Sequence, residues 1–426
     1  LIYWPAIAIG RLARFAIRRL RPGGGSALPG LIVSKIAPGL LAQTLKAFPK
    51  GLVVITGSAG KSTTTKMVVA ILRAHGLQVF TNPSTANITQ GFFSTIVEQS
   101  NLNGKIAGDV AVLEMDEGHA AEITRSISPD FVTILNVLDD QLDRFIDPSS
   151  VRNKLLEVAN RAASGLILNV DDQNIAWINE RIESASAAVR HYVDVNDQVK
   201  ESTPHGLGYS NTYLDAIPVP ETASTLVSLS GRECEVILDG EHLSLILPSR
   251  GLHFALDALA ALQTSKAFLG QSFNSELAVQ TLNEMPPVFA RGEMVQIEGQ
   301  SVEFILVQNP TSFQLNLDAL PQAPERLMIA IGRDVHDPSW LWTVDYSKLQ
   351  RVDIASGFNA SEMALCLRYN NIACAGVTDD LRIAFDQFLA LPSPESGVKT
   401  VLFSADAMRR SRRMLGFTSP EDVERS

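Results

Sequence analysis

Gly57-Ser58-Ala59-Gly60-Lys61-Ser62-Thr63 is the stretch on which the fold of this chain turns. It follows the apolar run Leu52-Val53-Val54-Ile55-Thr56 and precedes a segment, Thr63 to Gly76, whose apolar residues recur at helical spacing. A buried strand, a glycine turn and a helix start in that order make a phosphate-binding loop. The glycines let backbone N–H groups close on phosphate oxygens, and the helix N-terminus adds the positive end of its dipole. Lys61 brings a cation to the β/γ-phosphates, and Ser62 is placed to ligate Mg²⁺. ATP binding by Gly57, Ser58, Ala59, Gly60, Lys61, Ser62 and Thr63 is the expectation.

Working outward, Gln78-Val79-Phe80-Thr81-Asn82 reads as a second strand and closes a βαβ unit. Val110 to Asp116, Phe131 to Val137 and Gly165 to Asp172 are further apolar runs separated by polar or helical segments, the pattern of a doubly wound, mainly parallel sheet. Open sheets of this kind bind ligands at the carboxyl ends of their strands. Glu114 ends one such strand and is the first candidate for Mg²⁺, which needs only one or two carboxylates beside the phosphates. Asp116 and Glu117 adjoin it. A second acidic cluster, Asp139-Asp140-Gln141-Leu142-Asp143-Arg144, follows the next strand, so Asp140 is a further metal candidate.

The chain has 426 residues, enough for two or three domains at about 150 residues each. The segment 1–45 is read as a leader: an amphipathic helix with four arginines, followed by the loop Pro22 to Gly30. Such a helix either rests on an anionic membrane surface or packs on its own domain. Residues 46–285 form the ATP-binding domain, with an antiparallel insertion over about 192–250 in which Asp239-Gly240 marks a hairpin. The prolines near Met285 to Glu293 mark a boundary, and 286–426 begins a fresh α/β pattern with strands at VEFILVQN, RLMIAIG, RVDIASG and TVLFSAD. A net charge of -10 argues against a nucleic-acid partner. Three scattered cysteines, Cys234, Cys366 and Cys374, exclude a disulfide framework and fit a reducing cytoplasm.

At this point a resemblance becomes specific. The segment TGSAGKSTTT resembles the phosphate loop of the Mur ligase family, and DDQLDR resembles a second motif of that family. GGGSALPG, VLEMDE, LNVDD, ARGE, NPTSF, DPSWLW and SGFNASEMALCLRY are similar to its MurT group, synthetase subunits of lipid II isoglutaminyl synthase. The resemblance implies a Mur ligase central domain and a C-terminal α/β domain. It implies amidation of the D-glutamate α-carboxylate of lipid II to D-isoglutamine through an acyl phosphate, in peptidoglycan biosynthesis. Ammonia would come from a GatD-like glutaminase subunit in a heterodimer, and the lipid II acceptor would place the chain at the inner face of the cell membrane. It also gives Asp337, before Pro338-Ser339-Trp340, a catalytic role near the ammonia path, and Lys154 a metal role in carbamylated form.

Several residues depart from the family pattern. Ala59 replaces an asparagine in the loop, Phe254 and Asp257 stand where asparagines commonly meet the nucleotide, and Gln308 and Thr343 replace a lysine and an acid. The four-cysteine ribbon of many MurT-like chains is lacking, so no structural zinc is expected. Two other functions share the loop: a free-standing Mur or folylpolyglutamate-type ligase that adds an amino acid, and a divergent ATP-binding chain without turnover.

Overall fold

A computed structural model of the chain describes residues 3–20, 28–83, 86–138, 148–183, 188–210, 217–286 and 291–417. The strand leading into the phosphate loop, β1 (Leu52–Thr56), is buried at every residue. Side chains alternate between the faces of a strand. Leu52 and Val54 accordingly enter one apolar core, while Val53 and Ile55 enter another on the opposite face. Burial on both sides is why the run is continuously apolar.

Eight more strands join it: β2 (Val79–Thr81), β3 (Val110–Glu114), β4 (Phe131–Ile134), β5 (Gly165–Asn169), β6 (Val189–Val195), β7 (Ser224–Ser230), β8 (Glu233–Leu238) and β9 (Glu241–Ile246). Their order is β2-β3-β1-β4-β5-β6-β7-β8-β9. Every pairing from β2 to β7 is parallel, and β7, β8 and β9 form an antiparallel meander. Ile55 lies opposite Glu114 and Thr56 opposite Ile134, so the carboxyl ends of β1, β3 and β4 meet at one edge. The order runs outward in both directions from β1, which puts the phosphate loop at the switch point where such sheets hold their ligands.

One feature differs from the sequence reading, and one alternative left open there is resolved. The run over 192–250 extends the main sheet: β6 begins at Val189 and is parallel to both neighbours, and the meander continues from it. Its alternating burial arises because one face is covered by the helix Leu252–Leu269, and the same pattern would mark a separate insert. Asp239 and Gly240, with φ of 49° and 85°, make the expected hairpin turn. The leader is also part of the central body. Helices Trp4–Leu20, Leu28–Ile36 and Gly39–Leu45 contribute the fully buried Ile7, Val33 and Leu40 to the first core. Gly10 permits this approach, since a Cβ there would lie 2.6 Å from a Val33 methyl.

The C-terminal part is a six-stranded sheet of β10 (Arg291–Ile297), β11 (Gln300–Leu306), β12 (Leu327–Ala330), β13 (Arg351–Ser356), β14 (Ala373–Thr378) and β15 (Lys399–Phe403), in the order β10-β11-β15-β12-β13-β14. Only β10 runs antiparallel to its neighbour. Apolar clusters cover both faces. β10 and β14 add to the four strands legible in the sequence.

Candidate active site

The loop from β1 to the helix Lys61–Ala74 is held open by its glycines. Gly57 has φ of 127°, and a Cβ there would approach the Asn136 backbone N to 3.0 Å. Gly60, φ 85°, caps the helix, and a Cβ there would come within 2.1 Å of Asp257 Oδ1. Asn136, just past β4, clamps the loop from the side. Its Oδ1 accepts from Ala59 N–H at 2.8 Å, its Nδ2 donates to Ala59 O at 3.2 Å, and its carbonyl accepts from Ser58 N–H at 3.0 Å. The Ser58 hydroxyl accepts in turn from Leu138 N–H at 3.1 Å. The cradle is thus fixed before any phosphate arrives, and Ala59 costs nothing because its backbone makes the contact.

Lys61 is buried, with its ammonium donating to Gly57 O at 2.5 Å and Ser58 O at 3.0 Å. Asp116 at 3.4 Å and Glu117 at 3.8 Å balance its charge. Ser62 Oγ donates to Glu114 Oε1 at 2.9 Å, and Glu114 is only 4% exposed. Asn82 pins the Glu114 backbone, accepting from its N–H at 3.0 Å and donating to its carbonyl at 3.1 Å. The Ser62 hydroxyl and Glu114 carboxylate are hard oxygens side by side at the phosphate loop. That donor set fits Mg²⁺, which keeps several waters and takes its remaining ligands from phosphates. Bound there, the ion would neutralise charge on the polyphosphate.

Three more residues join this edge from the far side of the loop. Arg291, the first residue of β10, donates to the Thr63 hydroxyl. Asp257, on the helix Leu252–Leu269, is 5% exposed, and burial pushes its carboxyl up to about 7 against the pull of Arg291 and of the Thr64 and Thr63 hydroxyls. Burial and the Arg291 charge push His253 down to about 3, and its Nδ1 has no hydrogen-bond partner among the described residues. A cleft runs from the loop between the two sheets, lined by Asn136, Asn169, Tyr209, His253 and Asp257 on one side and Gln308 on the other. Phe254 does not face it. It is 2% exposed and packs in the second core, so of the two positions where the family carries asparagines only Asp257 reaches the cleft. In the sequence, Arg291 is signalled by the ARGE motif and Asp257 by its departure from the family pattern, while His253 carries no role of its own there.

The other candidates lie elsewhere. Asp337 is exposed outside the cleft lining, where its carboxylate caps the short turn Pro338–Thr343 by accepting from Ser339 N–H at 2.9 Å; the Ser339 hydroxyl, with that N–H, holds it below the usual carboxylate range. Lys154 is half-buried on the helix Pro148–Ala159, its ammonium 3.5 Å from where a Cβ on Gly118 would stand, beside Glu117. Asp140 and the rest of the DDQLDR cluster fall outside the described residues. Thr343 donates to Trp340 O at 2.8 Å and stays exposed.

Known proteins resemble this chain in sequence and fold. The family model described as the Mur ligase middle domain matches residues 55–264, and that described as the MurT ligase C-terminal matches residues 306–400. The chain belongs to the Mur ligase family. Among curated relatives of this Mur ligase, the lipid II isoglutaminyl synthase (glutamine-hydrolyzing) subunit MurT of Streptococcus pneumoniae is 27% identical over 403 residues, covering 87% of each chain. The protein of the same name from Staphylococcus aureus is 31% identical over 189 residues, 44% of this chain and 41% of that one. Of solved structures, the MurF ligase of Thermotoga maritima in complex with ADP superposes with a TM-score of 0.66 at 17% identity, covering 92% of this chain and 84% of that one, which is a likeness of fold. The chain is an ATP-dependent ligase of this family.

Proposed function

We propose that this Mur ligase amidates the α-carboxylate of the D-glutamate in lipid II, drawing ammonia from a glutaminase subunit of the GatD kind. The observation that carries the reading is the pairing of a preformed phosphate loop with a C-terminal domain that matches the MurT model over residues 306–400. The MurT relatives bear the name of a glutamine-hydrolysing synthase subunit.

In the first step a carboxylate oxygen of the acceptor attacks the γ-phosphorus of ATP, the bond to the β-phosphate oxygen breaks, and ADP leaves with that electron pair. Lys61 offsets the charge that moves, and the N-terminus of the helix Lys61–Ala74, held in place by the Asn136 clamp on the loop, presents its N–H groups to the phosphates. Ser62 and Glu114 would hold the Mg²⁺ that this transfer needs. In the second step ammonia forms a C–N bond at the acyl carbon, the C–O bond to phosphate breaks, and the nitrogen loses a proton. Asp337 is proposed as the residue on the ammonia path: it stays ionised at neutral pH and can orient ammonia or take that proton.

The state of the cysteines supports an outside source of ammonia. Burial raises all three thiols, Cys234 to about 12, whereas a glutaminase nucleophile needs a lowered thiol pKa. The experiment is direct: purified chain with ATP, Mg²⁺ and lipid II, given either ammonium chloride or glutamine, with the acceptor followed by mass spectrometry. Exchange of one hydroxyl for one amino group is expected with ammonium and not with glutamine alone. An ATP-dependent adduct with an amino acid would favour the free-standing ligase, and no ATP-dependent product would favour a chain without turnover.

A further inference from the structure

The helix Trp4–Leu20 has two apolar faces, and only one is used. Ala6, Ile7 and Gly10 pack inward against the helices Leu28–Ile36 and Thr89–Gln99. Trp4, Leu12 and Phe15 recur at i, i+8 and i+11, one stripe of a helix. They are 51%, 70% and 58% exposed, and Ile9 widens the stripe. A solvent-facing side would ordinarily be the polar one. The neighbouring helix adds exposed Leu28, Leu31 and Ile36, so among the described residues seven of the eighteen exposed large apolar side chains fall within the first 36 positions.

The charge around this face has one sign. Residues 1–50 hold eight Lys and Arg and no Asp or Glu, while the remainder of the chain holds 28 basic against 46 acidic residues. The first acid in the sequence is Glu98, which pairs with Arg14. Arg19 lies over the Phe15 ring at 4.9 Å, a cation at the border of the stripe. Apolar anchors rimmed by arginine, on the one basic end of an acidic protein, complement an anionic lipid surface, to which each nearby Lys or Arg adds attraction. No single helix among the described residues is long and apolar enough to cross a membrane; the helices Leu28–Ile36 and Gly39–Leu45 reach that length only as a bent pair, and Val33, Leu40, Leu41 and Leu45 of that pair lie in the first core.

We propose that the exposed face of helix Trp4–Leu20 docks this protein on an anionic bilayer, with Trp4, Leu12 and Phe15 entering the headgroup boundary. The inference stands on the N-terminal helices alone and is independent of what the acceptor is. Co-sedimentation of the full chain with vesicles free of lipid II tests it, using phosphatidylcholine alone and phosphatidylcholine with phosphatidylglycerol. The chain is expected to pellet with the anionic vesicles, to bind the neutral ones weakly, and to lose affinity as salt is raised past about 0.1 M. The double variant Leu12→Asp/Phe15→Asp is expected to bind at least about tenfold more weakly. Both side chains are exposed, so its melting temperature should match the wild type, which separates lost docking from lost folding. A wild type that stays in the supernatant with anionic vesicles overturns the proposal. So does a variant that pellets equally well, or a wild-type dimer that the variant turns into a monomer, which would assign the face to a second copy.

Discussion

Replacing Asp257 with asparagine tests the electrostatics of the cleft at its most unusual point. The carboxyl sits 5% exposed beside the phosphate loop, pushed up to about 7 by burial from an ordinary value of 3.8. Below pH 3.8 the folded and unfolded chains both carry the proton. Between there and about pH 7 the folded protein keeps it while the unfolded chain releases it, so stability falls as pH rises through this window. Above pH 7 the whole penalty is present, at most on the order of 4 kcal/mol. His253, pushed down to about 3, stays neutral in the folded protein while the unfolded imidazole takes a proton below its ordinary 6.5; its slope is opposite in sign, and because variant and wild type share it, it cancels in the difference. In Asp257→Asn the amide has nothing to ionise, and part of the gain is offset because Arg291 loses an anionic neighbour. The advantage of the variant over the wild type is therefore expected to be larger at pH 8 than at pH 5, by on the order of 2 kcal/mol. Urea unfolding at the two pH values measures the difference. The same variant should bind ADP more tightly at pH 8, since it removes a negative charge from beside the phosphates. A gap between variant and wild type that is equal at pH 5 and pH 8 would show that Asp257 ionises normally, and the reasoning would be wrong.

Other residues give sharper local tests. Lys61→Ala should lower ATP turnover by at least about a hundredfold, because the ammonium held by Gly57 O and Ser58 O faces the transferring phosphoryl group; turnover within about tenfold of wild type would remove it from the site. Gly60→Ala forces a left-handed conformation at about 1–2 kcal/mol and drives a methyl onto Asp257, so the melting temperature should fall by several degrees and ADP binding should weaken in calorimetry. An unchanged melting temperature would contradict the left-handed turn at Gly60. Glu114→Gln should raise the Mg²⁺ concentration for half-maximal activity by about 10–100-fold while ADP binding in EDTA is kept, and an unshifted Mg²⁺ dependence would free Glu114 of that role. Asp337→Asn should abolish amidation with acceptor-dependent ADP formation retained, and loss of nucleotide binding would mean the residue acts elsewhere.

Much of this was legible in the sequence because the signals are local. A five-residue apolar run, a glycine turn and Lys61-Ser62 specify strand, loop and helix together, and Glu114 stands out as an acid closing an apolar strand. What could not be read depends on contacts between distant segments. Asn136 looks like any loop asparagine until it is found bonded to Ala59, 77 positions away. Asp257 meets Gly60 only when the helix Leu252–Leu269, far along the chain, packs against the loop's own helix, and Arg291 meets Thr63 only when the second sheet folds onto the first. The docking of the first helix hinges on Gly10 fitting against Val33, which no periodicity reveals. The meander β7 to β9 gave the alternation of a one-sided sheet, and alternation alone does not say which sheet it joins.

The central claim is that the carboxylate is activated by phosphorylation before nitrogen enters, and oxygen labelling tests it most directly. Lipid II carrying ¹⁸O in the D-glutamate α-carboxylate would be turned over with ATP, Mg²⁺ and ammonium, and the released phosphate examined by mass spectrometry. Transfer of one ¹⁸O into inorganic phosphate for each amide formed is the predicted result. Amide formed with unlabelled phosphate would contradict the account.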